Sequence, residues 1–188
     1  MTSPIVEHYG PWSEDEYLAL DHGTTRIELI GGNLLVHPWP DHPHQIALEL
    51  FGPALDAARD AELPGCHHAC VRLNGNTVVV PDLVIRDRRR VLDVVDSADV
   101  VLLGEVISPE SAAIDRVLKT HLYAAARIGW LLTAELDPIT IRLYRLQGDR
   151  YFEHAVAHEG QTLTSSFPFP FTCGAAHRRG QPRPDPAV

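Results

Sequence analysis

The most apolar run of the chain is Val100–Ile107, where every position except Glu105 is apolar or glycine. This pattern predicts a central strand that is buried on both faces, which Ser108 and Pro109 should end because proline lacks a ladder donor. A buried carboxylate without a partner costs several kcal/mol, on the order of 3–5. Glu105 therefore needs a cation, a metal ion or a proton, and a salt bridge to an arginine is one of the open alternatives.

The remaining periodicity and turn residues predict the other elements, except over 91–99, where the pattern is ambiguous. The first half of the chain should form a helix capped by Ser13, a hairpin over 26–37 turned at Gly31-Gly32, and a helix over about 44–59 that is kinked or broken near Pro53. Two strands should follow over 69–73 and 77–86, joined at Asn74-Gly75, and Pro81 interrupts the second. After the strand of Glu105 we expect a helix over 112–128 capped by Gly129, and then a meander over 130–134, 139–146 and 151–157. No repeat or linker divides the chain. We expect one domain over 1–176 and a disordered tail, rich in proline and arginine, over 177–188.

Composition narrows the class of protein. The chain has 188 residues, 45% hydrophobic and 22% charged, as in ordinary globular proteins. It contains neither an apolar run of ~18 residues nor an amino-terminal signal pattern, so we expect a cytoplasmic protein with no membrane span. Its three cysteines offer no disulfide framework. The net charge of −9 argues against nucleic-acid binding by bulk electrostatics, although a nuclease could recruit phosphates through a metal ion and a local basic patch.

Lys119 is the only lysine among 16 basic residues. A lone lysine in an arginine-rich chain indicates a position where a compact ammonium is needed. On the predicted helix it lies, with Asp115, Tyr123 and Ala126, on an edge stripe from which a long side chain could reach back to Glu105. The buried stripe should be Ile114, Leu118, Leu122 and Ala125. The alternative is an ordinary surface pair between Asp115 and Lys119.

Asp82 is the second acid in an apolar strand. Period two places it on one face with Val80 and Val84. If this strand pairs with the strand of Glu105, both acids can point to the same side and share a divalent ion, since Mg²⁺ prefers one or two carboxylates with retained waters. The alternative interpretation of Asp82 is a turn residue after proline.

Two further clusters carry metal-like or basic residue types. Cys66-His67-His68 with Cys70 could contribute to a zinc site, but the chain lacks a second pair at standard spacing, which disfavours zinc. The loop after the hairpin contains His37, His42 and His44. These histidines could bind a metal or act as a base, although we favour their interpretation as ordinary solvated loop residues. Arg86 and the arginines at 88–90 could contact phosphates, or form a solvated turn.

Five segments in order resemble a known family: Ile27–Gly32, Val80–Val84, Glu105–Pro109, Asp115–Tyr123 and Gly129–Leu132. The chain resembles the Uma-type restriction endonuclease family, within the PD-(D/E)XK nuclease superfamily, from about Trp12 to Phe171. The resemblance implies an α/β (α+β) fold, with a mixed central β-sheet flanked by helices as in restriction endonucleases. It also implies hydrolysis of nucleic-acid phosphodiesters that depends on Mg²⁺ (or Mn²⁺).

The same resemblance assigns roles to individual residues. Asp82 and Glu105 would hold the metal, with the carbonyl of Val106 as a further ligand. The superfamily's usual lysine stands two residues after the second acid, where this chain has Ile107, so Lys119 would replace it. Glu28 matches the family's amino-terminal glutamate and would complete the catalytic set. The substrate-binding candidates on this basis are His44, which opens the long helix, and Tyr123. Arg86 joins them because its charge could contact phosphates and not because of the resemblance.

Ile107 keeps a second class of function open, namely a nuclease-like module that binds DNA or regulates without cleaving. The expected partner is nucleic acid, with DNA preferred over RNA. A homodimer would suit cleavage of both strands of a duplex.

Overall fold

The computed structural model describes residues 8–21, 25–37, 42–87, 94–107 and 114–175. The helices are α1 (Glu14–Leu18), α2 (His42–Leu48), α3 (Gly52–Asp60) and α4 (Thr120–Ala125), with a 3₁₀ turn over Glu49–Phe51, another over Ser97–Asp99 and a π-helix over Ile114–Lys119. The strands are β1 (Ile27–Ile30), β2 (Asn33–Val36), β3 (Gly65–Cys66), β4 (Cys70–Asn74), β5 (Thr77–Val79), β6 (Leu83–Arg86), β7 (Val94–Asp96), β8 (Val100–Ile107), β9 (Trp130–Leu136), β10 (Ile139–Gln147), β11 (Arg150–His158), β12 (Thr162–Ser165) and β13 (Phe171–Gly174).

Most of the strands form two mixed sheets, and β12 pairs with β13 in a separate two-stranded sheet. A six-stranded sheet has the order β11-β10-β9-β8-β6-β3, and a five-stranded sheet has the order β2-β1-β5-β4-β7. Each sheet contains one parallel pair, which is β8 with β9 in the six-stranded sheet and β4 with β7 in the five-stranded sheet, and its other pairs are antiparallel. The mixed α/β class is therefore confirmed, although the strands divide between two sheets. Pro81 explains the division, because proline cannot donate a hydrogen bond to a neighbouring strand. The segment over 77–86 is therefore split into β5, in the five-stranded sheet, and β6, in the six-stranded sheet.

The run that begins at Val100 is a central strand, as predicted. It pairs with β6 on one side and β9 on the other, and seven of its eight residues are buried. Leu102 and Val106 pack in the core that contains Phe51 of the 3₁₀ turn and Ala54 of α3. Leu103 faces the other way, into a core shared with Tyr123 and the five-stranded sheet.

Most of the local predictions agree with the structure. Ser13 caps α1 in a capping box with Glu16, and the hairpin turns at Gly31-Gly32 with Ile30 opposite Asn33. The long helix breaks at the 3₁₀ turn just before Pro53, and the meander is present as β9, β10 and β11. The ambiguous segment holds β7 and a 3₁₀ turn, while the hairpin β12–β13 was not predicted.

The helix after β8 differs from the prediction. It ends at Ala125 and not at Ile128, and Arg127, two residues before the predicted cap Gly129, takes the left-handed conformation that is common after a helix. Lys119 and Tyr123 are buried, whereas Leu118 is 39% exposed. A π-helix adds a residue to each turn and rotates the following helix, and this rotation moves the predicted edge stripe into the interior.

Several predictions lie outside the described residues: the strand end at Ser108-Pro109, the arginines at 88–90 and the tail over 177–188. In the part of the chain that the structure does describe, none of the helices has the length and apolarity needed to cross a membrane.

Candidate active site

Three buried carboxylates converge where the two sheets meet. Glu28 comes from β1 of the five-stranded sheet, Glu105 from β8 of the six-stranded sheet, and Asp82 from the connection between β5 and β6. Their side chains are at most 3% exposed. The register of β6 and β8 explains the approach of two of them, because Leu83 pairs with Gly104 and so sets Asp82 beside Glu105. We call these three residues the acid cluster.

Two cations are shared among the acid cluster. Lys119 Nζ lies 3.1 Å from Glu28 Oε1 and 3.3 Å from Glu105 Oε1. Arg26 Nη1 donates to Asp82 Oδ1 at 2.8 Å, while its Nη2 lies 3.8 Å from Glu28 Oε1 and 3.7 Å from Glu105 Oε2. Each buried negative charge therefore has a positive charge beside it, which is the condition for keeping it ionised away from water.

Histidines line the same cluster. His37 Nε2 donates to Glu28 Oε2 at 2.6 Å, and His44 Nε2 lies 3.3 Å from Asp82 Oδ1. His67 Nδ1 donates to the Asp82 carbonyl at 2.8 Å, and His68 Nδ1 is 3.9 Å from Asp82 Oδ1. His68 is 40% exposed, so the imidazoles stand on the solvent side of the buried acids.

Neutral donors fix the orientation of each carboxylate. The Val80 amide donates to Glu28 at 2.7 Å, and the Val106 amide donates to Asp82 at 2.8 Å. The Tyr123 hydroxyl donates to Glu105 in a short hydrogen bond. All three acids are therefore held by hydrogen bonds as well as by charge.

Burial and charge push the pKa values of these acids apart. Burial alone would raise the pKa of Glu28, but Lys119 and the hydrogen bond from His37 outweigh it and lower the pKa to about 2. Burial likewise opposes the ionisation of Asp82, yet His44, Arg26 and the Val106 amide lower its pKa below the usual range. For Glu105 burial dominates over Lys119, and its pKa is raised. Glu105 is therefore the carboxylate in the cluster that can take up a proton most easily.

The structure brings together all four residues predicted as catalytic: Glu28, Asp82, Glu105 and Lys119. The surface-pair alternative for Lys119 is wrong, because the side chain has no exposure. The interpretation of His37 and His44 as solvated loop residues is also wrong. Both contact buried carboxylates, because the hairpin and the start of the long helix fold over the acid cluster.

The three predicted substrate-binding residues lie in different places. His44 is at the solvent side of the cluster, 13% exposed. Tyr123 is completely buried against Glu105, so it has no surface that a substrate could contact. Arg86 is the last residue of β6, four positions from Asp82, which is about 13 Å along a strand. The structure therefore does not bring Arg86 to the acid cluster.

Arg26 is not among the site residues predicted from the sequence, and His67 and His68 are considered there for zinc and not as neighbours of Asp82. A signal for Arg26 was present, because the Gly31-Gly32 turn sets the hairpin register and period two places Arg26 on the face of Glu28, with His37 opposite. No local signal links His67 and His68 to Asp82. They reach Asp82 through the pairing of β3 with β6, which is non-local.

The donors suit a hard divalent cation better than zinc. Among the described residues, no group of three or more His, Cys, Asp and Glu side chains is arranged to hold a metal ion, including the Cys66–Cys70 segment. Asp82 and Glu105 nevertheless supply the carboxylate oxygens that Mg²⁺ prefers, and two such ligands with waters suffice for that ion. The residues fit the metal in donor type, and the Arg26 guanidinium lies between the two carboxylates.

The fold is similar to that of a crystal structure from Anabaena variabilis ATCC 29413 that is described as a "putative nuclease belonging to DUF820", with a TM-score of 0.60 and 17% sequence identity over 73% of this chain and 81% of that chain. Residues 14–176 match the Uma2 family, whose description is "Putative restriction endonuclease". The chain belongs to this family, as its motifs indicate. No curated protein matches the chain.

Proposed function

We propose that the protein is a metal-dependent endonuclease that hydrolyses nucleic-acid phosphodiester bonds, with DNA as its substrate. The observation that carries this proposal is the convergence of three buried carboxylates and the only lysine of the chain at one junction between sheets. Burying so many charges is unfavourable for stability alone, and such clusters are typical of catalytic sites. Membership of the Uma2 family supports the same reaction class.

Asp82 and Glu105 would hold Mg²⁺ or Mn²⁺, with the Val106 carbonyl as a further oxygen ligand. When bound there, such an ion supplies positive charge that acidifies a water and offsets the charge that builds on the phosphate. The Val106 amide and the Tyr123 hydroxyl keep the two carboxylates in fixed orientations before any ion arrives. This preorganisation lowers the cost of assembling the site.

Lys119 would take the place of the superfamily lysine, for which this chain has Ile107. Its Nζ lies 3.1 Å from Glu28 Oε1 and 3.3 Å from Glu105 Oε1. From there the ammonium would orient the attacking water or neutralise the negative charge of the transition state. The π-helix carries Lys119 inward to that position. Glu28 in turn holds the ammonium and is itself held by His37.

Contact with the substrate falls to residues on the solvent side of the cluster. His44 would donate to a phosphate oxygen, while Tyr123 would act through Glu105. The role of Arg86, the choice of DNA over RNA, a homodimer and a cytoplasmic location stay predictions.

The test is cleavage of supercoiled plasmid by Asp82→Asn and Glu105→Gln in the presence of Mg²⁺ or Mn²⁺. Each substitution removes a charge with little change of shape. We expect the cleavage rate to fall by about a thousandfold or more, as for other groups that stabilise a transition state directly. Circular dichroism would show whether the fold is retained.

Asp149→Asn is the matched control, because Asp149 lies in the turn between β10 and β11 and its side chain is 91% exposed. It should cleave like the wild type. Cleavage by Asp82→Asn or Glu105→Gln at the wild-type rate would contradict the proposal. Binding of DNA by the wild type without cleavage would favour the non-catalytic module.

A further inference from the structure

Arg26 occupies the space between the two proposed metal ligands. Its guanidinium contacts Asp82 through Nη1 at 2.8 Å and Glu105 through Nη2 at 3.7 Å. A divalent ion shared by these carboxylates needs oxygen distances of about 2.1 Å, so it would have to lie in the same space. The guanidinium and the ion cannot both be there.

The guanidinium is held loosely for a buried cation. Its contact with Asp82 is of hydrogen-bond length, whereas the distances to Glu28 and Glu105 are 3.8 and 3.7 Å. Its Nε is buried and has no hydrogen-bond partner among the described residues. A strong arginine–carboxylate pair is bidentate, with two short parallel bonds, and Arg26 makes no such pair with any of the three acids.

A divalent ion carries twice the charge of the guanidinium that it would replace. Asp82 and Glu105 would therefore gain a stronger electrostatic partner, while Lys119 stays beside Glu28 and Glu105, and His37 and His44 stay beside Glu28 and Asp82. The exchange is favourable as long as the displaced guanidinium finds water.

Arg26 also has a route to water. Its side chain is 15% exposed, whereas the three acids are at most 3% exposed. The cation therefore lies on the solvent side of the carboxylates, in the direction from which a metal ion and a nucleic-acid phosphate would arrive.

We propose that Arg26 is a resident cation that occupies the metal position in the metal-free protein, leaves it when a divalent ion binds, and then contacts the substrate phosphate. This inference rests on the proposed function for the identity of the metal site. Arg26 holds the carboxylates in register until the ion arrives. After displacement, its guanidinium is a phosphate ligand on the rim of the same site.

The test is the affinity for Mn²⁺ without nucleic acid, measured by calorimetric titration of the wild type and of Arg26→Met. Methionine has a similar length but no charge. Removal of the competing cation should lower the dissociation constant for Mn²⁺ by about tenfold or more. Cleavage at saturating Mn²⁺ should fall, because the phosphate contact is lost.

Arg72→Met is the matched control, since Arg72 is paired with Glu14 and Asp96 and has no contact with the acid cluster. Its affinity for Mn²⁺ should equal that of the wild type. Arg26→Lys keeps the charge and serves if Arg26→Met does not fold; its affinity should stay within a few-fold of the wild type.

Equal or weaker Mn²⁺ binding by Arg26→Met would overturn the inference. The titration needs no substrate, so this failure is distinct from failure of the proposed function. If the wild type cleaves DNA but binds Mn²⁺ as tightly as Arg26→Met, the proposed nuclease function stands and the proposed role of Arg26 is wrong. If Arg26→Met binds Mn²⁺ more tightly but the wild type does not cleave DNA, the role of Arg26 stands and the nuclease function is wrong.

Discussion

Lys119 combines full burial with two ion pairs, to Glu28 and to Glu105. Loss of one partner of a buried pair leaves an uncompensated charge, and that penalty is larger than the net gain from forming the pair. The ammonium is therefore needed to keep two acids of the cluster ionised inside the protein. Its value for stability and its proposed value for catalysis arise from the same contacts.

Lys119→Met should destabilise the metal-free protein by about 3–5 kcal/mol, since two buried carboxylates lose their nearest cation. Urea denaturation measures the free energy of unfolding. The control is Arg142→Met, which removes a pair with Glu135 at a partly exposed position and should cost about 1 kcal/mol or less. Similar losses in the two variants would contradict the account of Lys119 as a buried ion-pair partner.

At the scale of elements, the contact between β6 and β8 determines where two acids lie. Gly104 faces Leu83, and a Cβ at Gly104 would come within 2.8 Å of the Leu83 Cβ and 3.2 Å of Phe51 Cε2. The two strands therefore approach more closely than a side chain would allow. This close approach carries Asp82, before Leu83, and Glu105, after Gly104, to one position.

Gly104→Ala should lower the free energy of unfolding by about 1–3 kcal/mol, because the added methyl group meets a Cβ that cannot rotate away. It should also reduce cleavage, because strands that move apart separate Asp82 from Glu105. Gly75→Ala is the control, since a Cβ there meets nothing within 4 Å. A Gly104→Ala protein as stable and active as Gly75→Ala would show that close strand contact does not position the acids.

The elements also show what sequence can predict. Val100–Ile107, the Gly31-Gly32 hairpin and the Ser13 cap follow from local apolar periodicity and turn chemistry, and all three are present. The inward rotation of Lys119 was not predictable from an ideal helical repeat, because the π-helix changes the phase. The role of His67 was equally hidden, since its contact with Asp82 depends on a pairing between distant strands.

At the scale of the whole molecule, the acid cluster joins the two sheets. Glu28 belongs to one sheet and Glu105 to the other, and Lys119 bridges them. The connection through Val80 and Asp82 crosses between the sheets and is tied to each by one carboxylate–amide bond, from Val80 to Glu28 and from Val106 to Asp82. The site therefore depends on the relative placement of both sheets, which no local pattern in the sequence encodes.

The most direct test of the proposed metal site is the position of Mn²⁺ in crystals of the protein, located by anomalous diffraction. We expect a peak between Asp82 and Glu105, about 2.1 Å from an oxygen of each carboxylate, with the Arg26 guanidinium moved away. A protein that cleaves DNA with Mn²⁺ yet shows its Mn²⁺ peak elsewhere, with Arg26 still between the two acids, would contradict it.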